Sequence, residues 1–554
     1  MSPVSHPDRR AVLRAGLAAA ALGAVGAATG CTAGPKPAAS PARHVLIEPD
    51  SPQVAAAEAA RHATGGTVLA GVAPEAGHVD LGGPVVPTWS YEGQIPGPEI
   101  RVRAGQVIQA LLVNQLPVET TVHWHGVAIR NDMDGVPGMT QAPVPPGREF
   151  TYRFAVADPG TYWYHPHVGV QLDRGLYGPL IVEDPAEPAA YDHDWTVVLD
   201  DWIDGTGYTP DQVLAALRHG MGGMGMAAAS PSPVMSSMSG MSMPAASPSP
   251  SMSGMSGGPG ATPASSMGSA APSGPSPVLS GARSRLLGGD AGDVRYPYYL
   301  INGRVRTAPR TFAARAGQRA RIRFINAGAD TAFRVALGGH EMTITHTDGY
   351  PVIPVRADAL LIGMGERYDV QVTLADGVFP LTALAEGKNS TALALVRTGR
   401  GDRPAAAVRP RELNGALAHY AVLRPAASVK LPDRQPDVIH RLQLTGGMSR
   451  YDWGINGQAF DMSRPDALRF LMGEGQRVRV IFANATTMYH PMHIHGHTFQ
   501  VNQGGPRKDT VIVRPGQQVS CDLDASNPGQ WMTHCHNLYH APQGGMMATL
   551  SYQT

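Results

Sequence analysis

Cysteine is almost missing from this chain: 554 residues hold only Cys31, Cys521 and Cys535. Three thiols can build neither a disulfide framework nor a zinc site of four thiolates. Charge is scarce too, at 16% Asp, Glu, Lys and Arg, and the 44 basic and 44 acidic side chains cancel. No Lys/Arg run breaks that balance, so the electrostatic footprint that holds phosphate backbones is lacking and no nucleic-acid partner is expected. Long apolar runs are absent as well. The one candidate, Ala15 to Ala28, is shorter than the roughly 20 residues needed to span a bilayer. What remains is a long chain, 43% hydrophobic and long enough for two to four domains with sizeable cores, that carries 21 histidines.

The apolar run follows Arg9-Arg10 and ends at Gly30-Cys31, which reads as an export signal over 1–30. The paired arginines resemble a bacterial twin-arginine signal. Ala28-Thr29-Gly30-Cys31 resembles a lipoprotein cleavage box with Ala in place of the usual Leu, which implies a lipid anchor on Cys31. The alternative is ordinary cleavage nearby, with Cys31 removed or left free. Either way the mature chain is expected in the cell envelope, on the outer face of the cytoplasmic membrane or in the periplasm.

From His219 to Ser280 the sequence is almost only Gly, Ser, Pro, Ala and Met, without Asp, Glu, Lys, Arg or aromatic residues. Such a stretch buries no core and is expected to be disordered. Around it, one unit occurs three times: Gly-Gln, then alternating apolar residues, then Asn nine positions after the Gly (Gly105/Asn114, Gly317/Asn326, Gly475/Asn484). Period-2 patterning and Pro/Gly-rich turns predict an all-β chain of three Greek-key β-sandwich domains. The expected layout is a linker over 31–66, domains over 67–190, 191–425 (with the insert at 219–280) and 426–554, and a lone short helix at Asp211 to His219. A monomer is expected.

Chance would give about one His-x-His pair in a chain of this composition. Five are present: His123/His125, His165/His167, His493/His495, His495/His497 and His534/His536. All lie in the first and third units. Residues i and i+2 of a strand share a face about 6.5 Å apart, so each pair can offer two imidazoles to one metal cluster. Imidazole suits copper, iron, zinc and nickel alike. Cys535, between His534 and His536, points the other way. With His490, His540 and Met546 it can complete a site of two histidines, one thiolate and a weak thioether, the ligand set of a blue-copper electron-transfer centre. Its sulfur is then only a few covalent bonds from two histidines of the cluster, so the spacing encodes an electron path.

These residues resemble the multicopper oxidase family over essentially the whole chain outside leader and insert. The four signatures are His-Trp-His-Gly at 123 to 126, Tyr-His-Pro-His at 164 to 167, His-Pro-Met-His-Ile-His-Gly-His at 490 to 497 and His-Cys-His-Asn-Leu-Tyr-His at 534 to 540. The resemblance implies three cupredoxin-like domains and four copper ions. His490, Cys535, His540 and Met546 would hold type 1 copper. His123 and His493 would hold type 2, and His125, His165, His167, His495, His534 and His536 the type 3 pair. The cluster would sit between the first and third domains, with the middle one as a spacer. Substrate loses single electrons, and O2 takes four and becomes water.

That reduction consumes four protons, and Asp134 matches the family's acidic residue near type 2 copper. The competing reading is an Asp-Gly turn. Two departures stand out. The axial Met of many relatives lies five residues after the last type 1 His, where this chain has Gly545 and then Met546, and some relatives carry an acid just after that His, where this chain has Ala541 and Pro542. His497 is expected to make a structural hydrogen bond, Cys521 to be a buried free thiol, and Trp124 and Trp163 to be core packing.

Ten methionines fall in the low-complexity insert: Met221, Met224, Met226, Met235, Met238, Met241, Met243, Met252, Met255 and Met267. Thioether is a soft ligand that prefers Cu(I), so the insert is read as a cuprous-ion collector, against the alternative of an inert linker. Similar inserts occur in bacterial copper-tolerance oxidases. The expected activity is an exported oxidase for Cu(I), with phenols and aromatic amines as secondary substrates. A laccase-like phenol oxidase or ferroxidase is the enzyme alternative, and a noncatalytic copper-sequestering envelope protein is the alternative from another class.

Overall fold

The computed structural model describes residues 45–554 except 62, 64, 188–189, 220–273 and 542–544. The export signal, Cys31 and the collector methionines lie outside the described residues. The described chain is all-β, and its sheets fall into three consecutive stretches of sequence, with no sheet crossing from one to the next. The first stretch has sheets of three, two and four strands between Thr67 and Glu183. The second pairs a seven-stranded with a six-stranded sheet between His193 and Ala418, and the third a six- with a five-stranded sheet between Val438 and Tyr552. Between the layers of the second lie Val335, Phe324 and Leu381, and between those of the third Val480, Phe482 and Trp531, all essentially without exposure.

The threefold repeat becomes one strand used three times: Gln106–Val113, Arg319–Asn326 and Arg477–Asn484. Each pairs in parallel with one neighbour and antiparallel with the other. The repeated Gly opens the strand from the left-handed region, at φ 86°, 83° and 78°. The repeated Asn closes it. Its Oδ1 accepts from a backbone N–H two residues on, and its Nδ2 donates to two carbonyls across the loop.

Part of the stretch read as linker, 31–66, folds as an α-helix, Pro52–Ala60. Ser51 caps it, Pro52 fits its first turn, and alanine supplies propensity. It docks by burying Val54, and Glu58 Oε1 accepts from the Ala155 N–H on an edge strand at 2.7 Å. The other helix, Pro210–His219, agrees with the sequence reading to within a residue.

Candidate metal centre

Two short strand pairs carry the histidines. In the first stretch, His123–His125 runs antiparallel to Gly160–His165, with His123 opposite His165. In the third, His490–Ile494 runs antiparallel to Gln530–Cys535, with His493 opposite His534 and Met492 opposite Cys535. The two sets interleave: His123 stacks on His495 and His125 on His493, each with ring centroids 3.8 Å apart. His165, His167, His534 and His536 close the group, which is buried except for partial exposure of His167. Residues from opposite ends of the chain therefore form one cluster.

The hydrogen bonds decide which nitrogens remain free. His123, His493, His165 and His534 donate Nδ1–H to the carbonyls of Asp134, Asp509, Pro166 and Cys535, each at 2.9 Å, and His495 donates to Asp134 Oδ2 at 2.9 Å. Their Nε2 atoms are left as lone pairs. Those of His123, His165 and His493 have no protein partner, and neither nitrogen of His536 has one. The Nε2 atoms of His495 and His534 face each other at 3.0 Å, with His167 Nε2 3.4 Å from His534 Nε2. Facing lone pairs in a buried site repel one another and have lost their water, so the arrangement is stable only around a shared cation. Burial lowers the pKa values of His165, His167, His495, His534 and His536 well below the ordinary range, which keeps their imidazoles neutral and fit to bind metal. The residues present thus fit the metal cluster that the resemblance implies.

A second site lies on the other side of Cys535. Its Sγ is 3.4 Å from His490 Nδ1 and 3.7 Å from His540 Nδ1, and the two nitrogens are 3.3 Å apart. Away from this point, His490 Nε2 pairs with Thr486 Oγ1 at 2.8 Å and His540 Nε2 lies 3.5 Å from Asp293 Oδ2. Trp453 packs over His540 with ring centroids 4.1 Å apart. Burial pushes the Cys535 thiol far up, so a thiolate forms here only against a bound cation. Met546 is fully buried, accepts from the Cys535 N–H through its carbonyl at 3.0 Å, and donates its own N–H to the His540 carbonyl at 2.7 Å. Met547, opposite His534 in register, lines a cavity of about 250 Å³ together with His165, His167, His534, Cys535 and His536.

Asp134 sits against the cluster, with its carbonyl on His123 and its carboxylate on His495. His497 has both nitrogens engaged: Nδ1–H donates to the His495 carbonyl at 3.1 Å, and Nε2 accepts from Tyr552 at 2.7 Å. Cys521 is buried and free. Trp163 is buried but is more than core, with ring centroids 5.0, 4.4 and 5.4 Å from His125, His165 and His536.

Sequence reasoning missed Asp509. Its Oδ1 is 3.1 Å from His125 Nε2 and its carbonyl holds His493. Burial raises its pKa, but the Arg367 guanidinium and the neighbouring histidines outweigh this and hold it well below the carboxylate range. The reading of the middle stretch as a spacer is also corrected. Its Gly365, at φ +82°, lies so close that an added Cβ would be 2.8 Å from His536 and 3.0 Å from His125. Arg367 and Asp293 likewise reach the two sites, because the middle sheets pack against both of the others.

Sequence models of the multicopper oxidase family match residues 75–187, 282–401 and 433–554. The chain is 46% identical to multicopper oxidase MmcO of Mycobacterium tuberculosis, over 98% of this chain and 97% of that protein. It is 27% identical to a copper resistance protein A homolog of Pseudomonas syringae pv. tomato, over 84% and 89%. Among solved structures, a multi-copper oxidase from Pseudomonas thermotolerans aligns with a TM-score of 0.61 at 26% identity, over 88% of this chain and all of that one. Fet3p, a multicopper oxidase that functions in iron import, shares the fold with a TM-score of 0.68 at 19% identity, over 88% and 90%. This chain is an oxidoreductase and belongs to the multicopper oxidase family.

Proposed function

We propose that this protein is an exported cuprous oxidase that serves copper tolerance, taking single electrons from Cu(I) and delivering them to O2. The observation that carries the reading is Cys535, whose thiol faces His490 and His540 while its chain neighbours, His534 and His536, belong to the cluster. His490, Cys535 and His540, with Met546, would hold type 1 copper. His123 and His493 hold type 2, and His125, His165, His167, His495, His534 and His536 hold the type 3 pair. Bound there, the four copper ions supply one-electron oxidation of substrate at type 1 and four-electron reduction of O2 at the trinuclear cluster. Asp134 orients His123 and His495 and supplies protons. The cavity beside His165 and His534, lined also by Val136, Leu172 and Phe460, admits a small apolar molecule such as O2. The three sheet groups are three cupredoxin-like domains with boundaries near 190 and 425.

Export rests on the paired arginines and the short apolar leader, with Cys31 as a lipid anchor. Among the described residues no helix is long and apolar enough to cross a membrane. Cu(I) as substrate is favoured by the ten thioethers between Met221 and Met267 and by the copper resistance proteins among the relatives. Laccases among the relatives favour small phenols as secondary substrates. Deleting 221–267 should slow Cu(I)-dependent O2 uptake by about tenfold or more, as expected when soft ligands that gather the ion are removed, and spare small phenols. Equal loss on both substrates, or none, would remove the collector role.

The type 1 site carries its own pH dependence. Burial raises Asp293 to about 6. Below that pH the carboxyl is neutral. Above it, a negative charge 3.5 Å from His540 Nε2 favours the more positive, oxidised metal. The type 1 reduction potential should therefore fall as pH rises through about 6. Spectroelectrochemical titration checks this, and Asp293→Asn should flatten the curve.

A further inference from the structure

Five cluster histidines, at 123, 165, 493, 495 and 534, donate Nδ1–H outward and keep Nε2 for the interior. His125 is turned the other way round. Its Nε2 lies 3.1 Å from Asp509 Oδ1 and 3.1 Å from Thr510 Oγ1, and its Nδ1 has no protein partner. Thr510 gives its hydroxyl proton to Asp509 Oδ1 at 2.8 Å, so both oxygens accept from His125. The proton therefore sits on Nε2, and Nδ1 carries the lone pair. This reversal depends on where the Asp509 carboxylate points.

Arg367, from the middle sheets, sets that direction. Its Nη1 and Nη2 donate to Asp509 Oδ1 and Oδ2, each at 2.7 Å, in a fork that fixes the carboxylate plane. The guanidinium is held in turn by the carbonyls of Thr161 at 2.9 Å and Gly365 at 3.1 Å. Asp348 ties the backbones together, accepting from the N–H of Arg367 through Oδ1 and from those of Asp509 and Thr510 through Oδ2. The fork reaches the cluster only because residue 126, next to His125, is Gly: a Cβ there would lie 2.3 Å from Arg367 Nη2. Arg367, Asp509, Asp348 and His125 are all fully buried.

We infer that Arg367 is a positioning residue that, through its two bonds to Asp509, selects the Nε2–H form of His125 and so aims Nδ1 at the cluster. The middle sheets thereby act on the cluster without supplying a ligand. Loss of an outer partner of this kind costs about 10- to 100-fold in metal affinity or activity. Lysine keeps the charge but is a single point donor without the fork.

The inference rests on the proposed copper reading. Wild-type copper content and blue absorbance test that reading separately, since wild-type protein without copper would refute it whatever Arg367 does. Arg367→Gln and Arg367→Lys are compared with wild type as purified full-length holoenzyme. Metal analysis, blue absorbance and the fraction of copper visible by electron spin resonance are read alongside O2 uptake. Both variants are expected to keep the blue absorbance, lose copper from the cluster or uncouple its paired ions so that the spin-visible fraction rises, and turn over about 10- to 100-fold more slowly. If Gln at 367 prevents folding, the Lys variant decides alone. Copper content and spin-visible fraction equal to wild type, with only a lower melting temperature, would overturn the inference.

Discussion

Cys535→Ser should abolish the blue absorbance and cut O2 uptake with any reductant by more than about 1,000-fold, a barrier increase of about 4 kcal/mol. The size follows from what Cys535 does twice. Its sulfur lies 3.4 and 3.7 Å from the two Nδ1 atoms of the mononuclear site, and its backbone joins the histidines on either side that face the cluster. A serine hydroxyl does not ionise against a soft metal as a thiol does, so both the ligand and the short covalent route are lost. The variant should still fold, because the exchange is nearly isosteric and the surrounding strand pairs through backbone bonds. Copper content should fall by about one ion in four, since the imidazole cluster does not use the sulfur. Turnover within tenfold of wild type would refute the electron path.

Asp134→Ala should act on the cluster itself, and Asp134→Asn should separate its two roles. Alanine leaves His495 Nδ1–H without its 2.9 Å acceptor in a fully buried site, a penalty of about 1–3 kcal/mol, with about 10- to 100-fold weaker metal binding. Asparagine can still accept that hydrogen bond but cannot carry a proton. It should keep copper near the wild-type level while O2 reduction slows by about 100-fold or more, as expected when a general acid is removed. Metal analysis and O2 uptake on the same preparations check both. An Asn variant with wild-type turnover would reduce Asp134 to orienting histidines, and an Ala variant that holds all its copper would remove that role too.

How much of this was legible in the sequence depends on whether the signal is local. His-x-His on a strand puts both rings on one face and the intervening Cys on the other, so the grouping of the paired histidines and the opposite direction of Cys535 follow from spacing, whereas setting His497 aside and adding His490 and His540 took the family resemblance. Gly-Gln and the Asn nine residues after the Gly mark a strand that opens from positive φ and closes on an Asn-capped loop, so the threefold strand plan was readable as well. Asp509 and Arg367 were not. Their pairing joins residues 142 positions apart, and neither sits in a periodic pattern that points to the other. The only trace is an acid at the head of the apolar run Thr510–Val513. Gly365 looks like any turn glycine until the His125 and His536 rings are in place. The helix Pro52–Ala60 escaped for a different reason: it buries only Val54, so its alanine-rich sequence shows almost no apolar stripe.

The middle sheets show the same limit at the scale of a domain. They supply no histidine to either site, so from sequence they look passive. In the fold the loops between their strands contribute Asp293 beside His540 and Gly365 against two rings, and a sheet strand contributes the guanidinium that pairs with Asp509. The clustered histidines are thus drawn from the ends of the chain, while part of their orientation comes from the middle.

The most direct test of the whole account is a crystal of the copper-loaded protein measured with X-rays at the copper and zinc absorption edges. The account predicts one copper peak among Cys535 Sγ, His490 Nδ1 and His540 Nδ1, and three more among the eight clustered imidazoles, one of them bound by Nδ1 of His125. Zinc at those positions, or copper at only one of the two sites in fully loaded protein, would contradict it.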